Sequence, residues 1–382
     1  MSAKTKQLPM GSVLLLFLLL FCCVAFATGI RQEMLDAAVR CFTVVIPSLY
    51  AMMILTQLLT ATEIWRILGK PFRWIAPHIF HMPEGCFALF LLSQFAGYPV
   101  GASILRTLYE NRTLSRQNAA ELCCVCYGGG PAFLLGILGE FPQRVPCFWL
   151  IFCANLLANL LLAAILFFRH PVQMQSTAIR PIRKITPELL IASTNNAGKL
   201  LLKLCGIILC FSALCGILEE SGAFHSIAML SGQRLPFSPV WILKSLLEIS
   251  YASQLSLPFC WYLPMLAALL SFGGCCVCMQ IRAAGGDLIS LSRFFLIRLL
   301  AAVLSGTFCR IGMCWIPWKN AEAFQMVSAP AASRSQKRKK SAFDFFRIFL
   351  TFLWKYTIIK RRIILCNLRC MPQLFRKGIF QS

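Results

Sequence analysis

Seven stretches of this chain are apolar over the length that a helix needs to cross a bilayer, with basic residues gathered in several of the gaps between them. A helix rises about 1.5 Å per residue, so roughly 20 apolar residues span a hydrocarbon core about 30 Å thick. The stretches fall within residues 1–28, at Thr43–Thr60, Ala119–Leu138 and Pro146–Phe168, and at 199–218, 261–281 and 289–315. In lipid every backbone polar group must be satisfied internally, and runs of this length are those of helices. The expected fold class is therefore an all-α polytopic membrane protein. Composition agrees: 58% of the 382 residues are hydrophobic and 13% charged, against about 45–50% and about 25% in a soluble domain.

A net charge of +23 would suggest nucleic acid in a soluble protein. Here the cations sit between apolar stretches and in the C-terminal tail, as the positive-inside bias demands, so no nucleic-acid partner is expected. Most of the 20 cysteines fall inside expected spans, where cysteine packs as a small apolar residue. Cys123, Cys124 and Cys126, like Cys275, Cys276 and Cys278, resemble thiolate clusters, but no histidine or carboxylate spacing completes a metal site. Packing is the reading preferred for them.

Residues 1–28 carry Lys4 and Lys6, an apolar run from Val13 to Phe26, and Ala25-Phe26-Ala27. They form a cleaved signal peptide or a retained first span, and retention suits the multi-spanning chain behind them. Either way residue 29 emerges outside. Residues 63–80 mix Trp65, Arg66, Lys70, Arg73 and Trp74 with aliphatics, as in a helix lying in the interface. Residues 84–108 are apolar but broken by Gly97-Tyr98-Pro99-Val100-Gly101. Such a break at membrane depth is tolerated only against protein or water, so a re-entrant hairpin fits better than a span.

After a basic cytoplasmic linker, 169–198 with its cations in 169–187, the order repeats: a span at 199–218, an interfacial piece at 222–235, and a polar-interrupted segment at 240–258 around Glu248 to Gln254. The last two spans follow. The chain thus divides into an N-terminal span or anchor (1–28), a first repeat (29–168), the linker, a second repeat (199–315) and a basic amphipathic tail (316–382). Cys126-Tyr127-Gly128-Gly129 in the first repeat has a counterpart in Ser271-Phe272-Gly273-Gly274 of the second. Each repeat crosses an odd number of times, so the second is inverted relative to the first. Charge supports this topology. The expected cytoplasmic segments 61–83, 106–117, 169–187 and 282–293 carry the arginines and lysines, while the outer loops 29–42, 139–145 and 219–239 nearly balance. The tail, with Lys337-Arg338-Lys339-Lys340, counts to the outside against that rule. Phe343–Ile359 would have to cross back, or the tail would lie on the membrane surface.

Inverted repeats with broken helices at the midplane are an arrangement of secondary transporters, because a break offers backbone groups and helix-end partial charges to a polar solute. Gly97, Tyr98, Pro99 and Gly101 are expected to shape the first hairpin tip and line a solute path. Gly128, Gly129, Gly130 and Pro131 are expected to unwind the start of a span, although glycines there would serve close packing equally well. Glu248 is the most informative charge, since an ionisable group in a membrane segment is a functional hypothesis by default. Its plain alternative is an i, i+4 pair with Lys244. Ser250, Gly273, Gly274 and Gln280 complete the expected solute-binding set. Gln280, Gln254 and Gln94 would bond between helices as readily as to a solute. Asn195 and Asn196 would cap the span that follows them, and Glu219 and Glu220 would sit solvated at an outer helix end. His78, His81, His170 and His225 fall at expected membrane borders. Nothing points to a catalytic residue, a metal or a cofactor.

Val45-Ile46-Pro47-Ser48-Leu49-Tyr50, then Ser93 to Gly101, Leu114-Ser115-Arg116, Gly130-Pro131-Ala132-Phe133 and Ser271-Phe272-Gly273-Gly274 with Val277 and Gln280 resemble the bacterial sporulation integral membrane proteins with nucleoside-recognition (gate) domains. The resemblance covers about residues 30–315. It implies an outline like that of concentrative nucleoside transporters, and a link to endospore formation and dipicolinic acid movement. Carried over, Gly97–Gly101 match the first hairpin motif, Glu248 an acidic position in the second, and Gly273-Gly274 the Gly-Gly span. Relatives usually carry asparagines where this chain has Tyr127 and Gly128, which would alter the solute. The reading is a secondary transporter-like protein of the bacterial cell or forespore membrane, moving a small polar or anionic metabolite. Its partners would be the bilayer, the solute, a coupling ion and further copies of the chain. The alternative is a non-transporting membrane scaffold or sensor for spore assembly, with the tail as its docking element.

Overall fold

The computed structural model describes residues 10–139, 141, 143–175, 182–231, 239–255 and 257–316. Among these every regular element is helical, apart from one isolated bridge between Leu114 and Met174. The order is α1 (Met10–Ala25), α2 (Ala27–Arg40), a π-helical turn (Cys41–Val45), α3 (Ile46–Thr62), α4 (Trp65–Gly69), α5 (Ile75–Ile79), α6 (Glu84–Ala96), α7 (Tyr98–Glu110) and α8 (Arg116–Val125). Then come α9 (Pro131–Leu138), α10 (Arg144–Arg169), α11 (Pro187–Glu220), α12 (Ala223–Ser231), α13 (Pro239–Leu247), a 3-10 turn (Ile249–Gln254), α14 (Phe259–Phe272), α15 (Gly274–Gly285) and α16 (Leu291–Met313). Five helical stretches are long and apolar enough to cross a membrane: Ala27–Thr62, Arg144–Arg169, Pro187–Glu220, Phe259–Leu288 and Leu291–Met313. An α-helical, membrane-embedded architecture follows from them.

Several expected boundaries move. Residues 29–42 are not an outer loop; they belong to a continuous helix, Ala27–Thr62. Polar residues hid its period, but Ala37, Cys41, Val45, Leu49 and Met53 recur every fourth position and are all buried. The π turn supplies the extra residue that lets the helix pass Pro47, whose ring would otherwise collide with the preceding turn. Residues 187–198, expected as linker, are the first turns of α11. Thr186 caps that helix, its hydroxyl accepting from the Leu189 N–H at 3.3 Å, so Asn195 and Asn196 lie inside the helix and cap nothing. The expected span Ala119–Leu138 is interrupted in its middle, between α8 and α9, and the span 261–281 is broken at Gly273. Segment 63–80 folds as short helices that bury Trp65 and expose Trp74. Segment 222–235 begins with α12, and its remainder lies outside the described residues, as does the tail from 317 onward. No residue of α1 is buried.

The long helices pair antiparallel. Gly29 at the start of α2 packs on Gly216 near the end of α11, where an added Cβ would lie 2.8 Å from the Gly216 carbonyl oxygen. Toward the other ends of the two helices, Tyr50 faces Gly198. In the second pair Asn155 and Asn159 of α10 meet Ser305 and Arg298 of α16 at 2.7 and 2.8 Å, so the numbering runs in opposite directions.

The basic segments come together at one end of the molecule. The Arg183 N–H donates to Thr62 O, Val172 to His81 O and Gln175 to Thr113 O, at 2.9–3.1 Å. Arg116 Nη2 donates to the Asp287 carbonyl at 2.8 Å, and Arg293 pairs with Glu121 at 3.1 Å. At the opposite end Thr28 and the Gly29 N–H donate to Glu220, and Phe141 stacks on Phe259 and Tyr262. Arg310 Nη1 donates to Cys260 O at that end. The α6–α7 pair therefore starts and finishes on one short strap, 172–175. The α12–α13 segment leaves α11 and rejoins α14 at the opposite end. Glu219 and Glu220 are exposed at the end of α11, as expected, and both also bond within the protein: Glu219 binds Lys244 at 2.8 Å.

Candidate functional site

A helix that stops inside lipid strands carbonyl groups at its C-terminus, and each must find a donor. Four such stops converge in this chain. The first is Gly97, whose φ of 100° is a conformation that glycine alone adopts without strain. It separates α6 from α7, and Pro99 sits in the first turn of α7, where its missing N–H costs nothing. The second stop is Cys126–Gly130, between α8 and α9. A Cβ on Gly130 would lie 3.1 Å from Phe95 O and 3.3 Å from Gly97 N, so the first two stops abut. Gly101 is the matching close approach on α7, where a Cβ would lie 2.2 Å from Cys126 O. Gly128 packs on the backbone of Gln94, Gly129 on the Tyr98 hydroxyl, and Pro131 opens α9.

The third stop is Gly273-Gly274, with φ of 82° and 76°. It touches the second directly: Tyr127 donates its hydroxyl to Phe272 O at 2.8 Å, and Tyr98 donates to Leu270 O at 2.8 Å. The recurring aromatic-Gly-Gly thus marks two helix stops packed against one another. Gly274 in turn lies on the carbonyls of Ser245 and Leu246, which lead into the fourth stop, at Glu248.

Arg298, 0% exposed near the middle of α16, joins the second and third stops. Its Nε and Nη2 donate to Ser271 O at 3.0 and 2.6 Å, and Nη2 also reaches the Ser271 hydroxyl at 2.9 Å. Nη1 donates to Cys124 O at 3.0 Å and to Asn159 Oδ1 at 2.8 Å. The guanidinium lies 4.1 Å from the centre of the Tyr127 ring. Each of these acceptors is neutral. The compensating charge comes from the C-termini of α8 and α14, each worth roughly −0.5 of an elementary charge, which sum to about −1. Asn159 continues the network, its Nδ2 donating to Tyr127 O and to Gln94 Oε1, both at 2.8 Å. Gln94 Nε2 takes the Val125 carbonyl at 3.0 Å. Gln94 is therefore spent between helices.

Beside this network lies a small cleft, walled by Gln94, Gly128, Gly129, Gly130, Asn155 and Phe152. It sets an aromatic wall beside an amide and the backbone of an unwound segment, with room for about one water molecule. A second, smaller cleft is lined by Thr56, Thr60, Ser103 and Thr107. Three of those hydroxyls donate within their own helices, to Met52 O, Thr56 O and Ser103 O.

Not every expected residue joins the centre. Glu248 does not pair with Lys244: its carboxylate accepts from the Ser250 N–H at 3.1 Å and from the Ser250 hydroxyl, while Lys244 binds Glu33 and Glu219. Glu248 and Ser250 sit on the far side of the Gly274 turn. Gln280 stays within α15, bonding Cys276 Sγ at 3.3 Å. Cys123, Cys124, Cys126, Cys276 and Cys278 are buried, and no group of metal-ligating side chains occurs among the described residues.

Sequence reasoning missed Arg298, Asn159, Arg40 and Glu33. The first had a signal: the rule that singles out Glu248, an ionisable group inside an apolar segment, applies equally to an arginine inside α16. Arg40 and Glu33 were assigned to an outer loop that is in fact helix. No family model, curated protein or solved structure matches the chain.

Proposed function

We propose that the chain is a secondary transporter-like membrane protein for a small polar metabolite, built from two inverted repeats, each with a re-entrant hairpin. One observation carries the reading: four helix interruptions meet in the interior instead of scattering, and the second and third share the buried Arg298. Interruptions scattered for packing would have no reason to converge. The first repeat comprises α2 to α10 and the second α11 to α16. The antiparallel pairing of α2–α3 with α11, and of α10 with α16, supports the inversion. The hairpin α6–α7 enters from the basic end, taken as cytoplasmic by the positive-inside rule, and α13 with its 3-10 turn enters from the other. Alternating access then means one repeat rocking against the other about the Arg298 contact.

The resemblance to sporulation integral membrane proteins makes a dipicolinate-type anion the first cargo to test and a nucleoside the second. The test is uptake of each labelled solute into proteoliposomes, comparing the wild type with Asn155→Ala in the cleft. Saturable uptake lowered at least tenfold by the substitution supports the carrier. Uptake of neither solute, from folded and inserted protein, refutes it for these cargoes. A second reading, a non-transporting scaffold or sensor, has its own observation: the carbonyls freed at α8 and α14 are filled by side chains of this chain. A scaffold would tolerate Asn155→Ala in a sporulating host and fail on loss of residues 334–382.

A further inference from the structure

A buried guanidinium with unpaired N–H groups is among the least stable features a protein can hold, since each orphaned donor keeps its desolvation cost with nothing in return. Arg40, at the end of α2 just before the π turn, is such a group. Its Nε and Nη2 are buried and have no hydrogen-bond partner. These two nitrogens share one edge of the guanidinium, the edge that takes both oxygens of a carboxylate in parallel. The Tyr251 ring holds the plane from one side, with 4.6 Å to its centroid, and Glu248 is the carboxylate whose charge acts on it most, so the fork is oriented with its Nε–Nη2 edge unfilled.

Its surroundings decide what it can receive. Glu33 on α2 is bound by Lys244 of α13 at 3.3 Å and by the Tyr251 hydroxyl. Glu248, 2% exposed, takes its hydrogen bonds from Ser250 and lies in the field of Arg40. Glu219 of α11 lies at the half-exposed rim of the cluster on Lys244. The remaining titratable neighbours of Glu248 are the thiols of Cys41, Cys215 and Cys276. Two cations, the partly buried Arg40 and the buried Lys244, thus face two carboxylates, the partly buried Glu33 and the buried Glu248, and the sum is zero. An added anion would leave the pocket negative unless a proton entered with it. Glu248 is the acceptor available, because Lys244 stays on Glu33 while an anion on the fork neutralises Arg40, the cation that acts on Glu248. We infer that Arg40 and Glu248 form a proton-linked site for a small carboxylate, in which the Arg40 fork takes the anion and Glu248 takes one proton from solvent. No covalent bond other than that O–H forms. The site lies apart from the cleft beside Gly128–Gly130, and it does not require that the protein transport anything.

The experiment uses the purified full chain in detergent, with acetate as the probe and acetamide as its neutral isostere, read by the shift in melting temperature between pH 5.5 and 7.5. One proton taken up per anion strengthens acetate binding by up to about tenfold per pH unit lowered. Acetamide should give no shift. Glu248→Gln should bind acetate with the same affinity at both pH values, and Arg40→Gln should lose at least tenfold in affinity throughout. Arg40→Lys should fall between wild type and Arg40→Gln, because a lysine lacks the fork. Should Arg40→Gln fail to fold, phenylglyoxal modification of Arg40 in the wild type, followed by mass spectrometry, serves instead, with acetate expected to protect. Unchanged acetate binding in Arg40→Gln, a flat pH response in the wild type, or no protection would each overturn the proposal. Failure of transport with Arg40-dependent acetate binding intact would count against the carrier alone.

Discussion

Replacing Arg298 by methionine removes the donor to three buried carbonyl oxygens at once, Ser271 O, Cys124 O and Asn159 Oδ1, as well as to the Ser271 hydroxyl, which can turn to another partner. Each stranded acceptor costs about 1–3 kcal/mol, a gross loss of roughly 3–9 kcal/mol. Against this stands relief of the several kcal/mol spent on burying a charge that has no carboxylate partner. Methionine fills a similar volume, so little cavity term arises. The balance is a net destabilisation of about 3 kcal/mol. At roughly 2–4 °C per kcal/mol for a large domain, the melting temperature should fall by about 6–12 °C. The assay is heating in detergent followed by size-exclusion chromatography of a fluorescently tagged chain. Arg298→Lys retains the charge but cannot bridge both helix ends, and should lose about half as much. Asn159→Leu should add less to Arg298→Met than to the wild type, because the two side chains share one network. A methionine variant that melts at or above the wild-type temperature would refute the argument, since it would mean that the helix stops do not depend on this cation.

Gly273→Ala should destabilise by about 3 kcal/mol or more, combining overpacking with a left-handed backbone. The new Cβ would lie 1.6 Å from the Tyr127 hydroxyl oxygen. Adding Tyr127→Phe should recover only part of the loss, because the ring carbon at 2.8 Å and the φ of 82° remain; full recovery would show that the backbone strain is negligible. The two ends of the molecule should also separate by labelling. With the exposed native thiols Cys23, Cys153, Cys210, Cys260 and Cys314 and the tail cysteines Cys366 and Cys370 changed to serine, Gln32→Cys should react with an impermeant maleimide on intact cells and Asp287→Cys only after lysis. Labelling of both from the same side would contradict the two-ended arrangement.

What the sequence made legible was the chemistry of the elements, more than their partners. Apolar runs of membrane length identify themselves, and Gly97 with Pro99 announces a break because no other pair so readily ends one helix and starts the next. The extent of the first long helix was hidden. Arg31, Gln32, Glu33, Asp36 and Arg40 read as loop, whereas the helix period that buries Ala37 and Cys41 shows only once a neighbour covers that face. The breaks at Gly128–Gly130 and Gly273-Gly274 were visible as glycines but misplaced as the start or interior of intact spans. A helix of 8 residues such as α9 is too short to be seen by hydropathy, and only its packing fixes it. Arg298 was overlooked because an arginine in the final span is easily credited to a membrane border; what separates it from Arg293 and Arg310 is depth, which one sequence does not print. Glu248 was recognised as important, yet its partner was wrong. The i, i+4 spacing to Lys244 holds along an α-helix, and the backbone leaves that geometry at Glu248 itself, with φ −138° and ψ 115°.

Arg298, buried, and Arg40, partly buried, divide the labour that a single charged centre would otherwise carry. Arg298 is saturated by neutral carbonyls and helix-end dipoles, so its stabilisation is greatest when α8, α14 and α16 keep their positions; it resists change at the contact between the two halves. Arg40 is the reverse case, since its Nε and Nη2 gain only if something new arrives or the second hairpin shifts. A rigid pivot and an unsatisfied rim are what rocking of one half against the other needs: the pivot must not lose its bonds during the motion, and the rim must gain bonds when occupied. Were the assignments exchanged, with the unpaired cation at the centre, the halves would have no fixed contact about which to move. On the carrier reading proposed above, the satisfied arginine on α16 would be the pivot and the arginine on α2, with its open edge, the responsive rim.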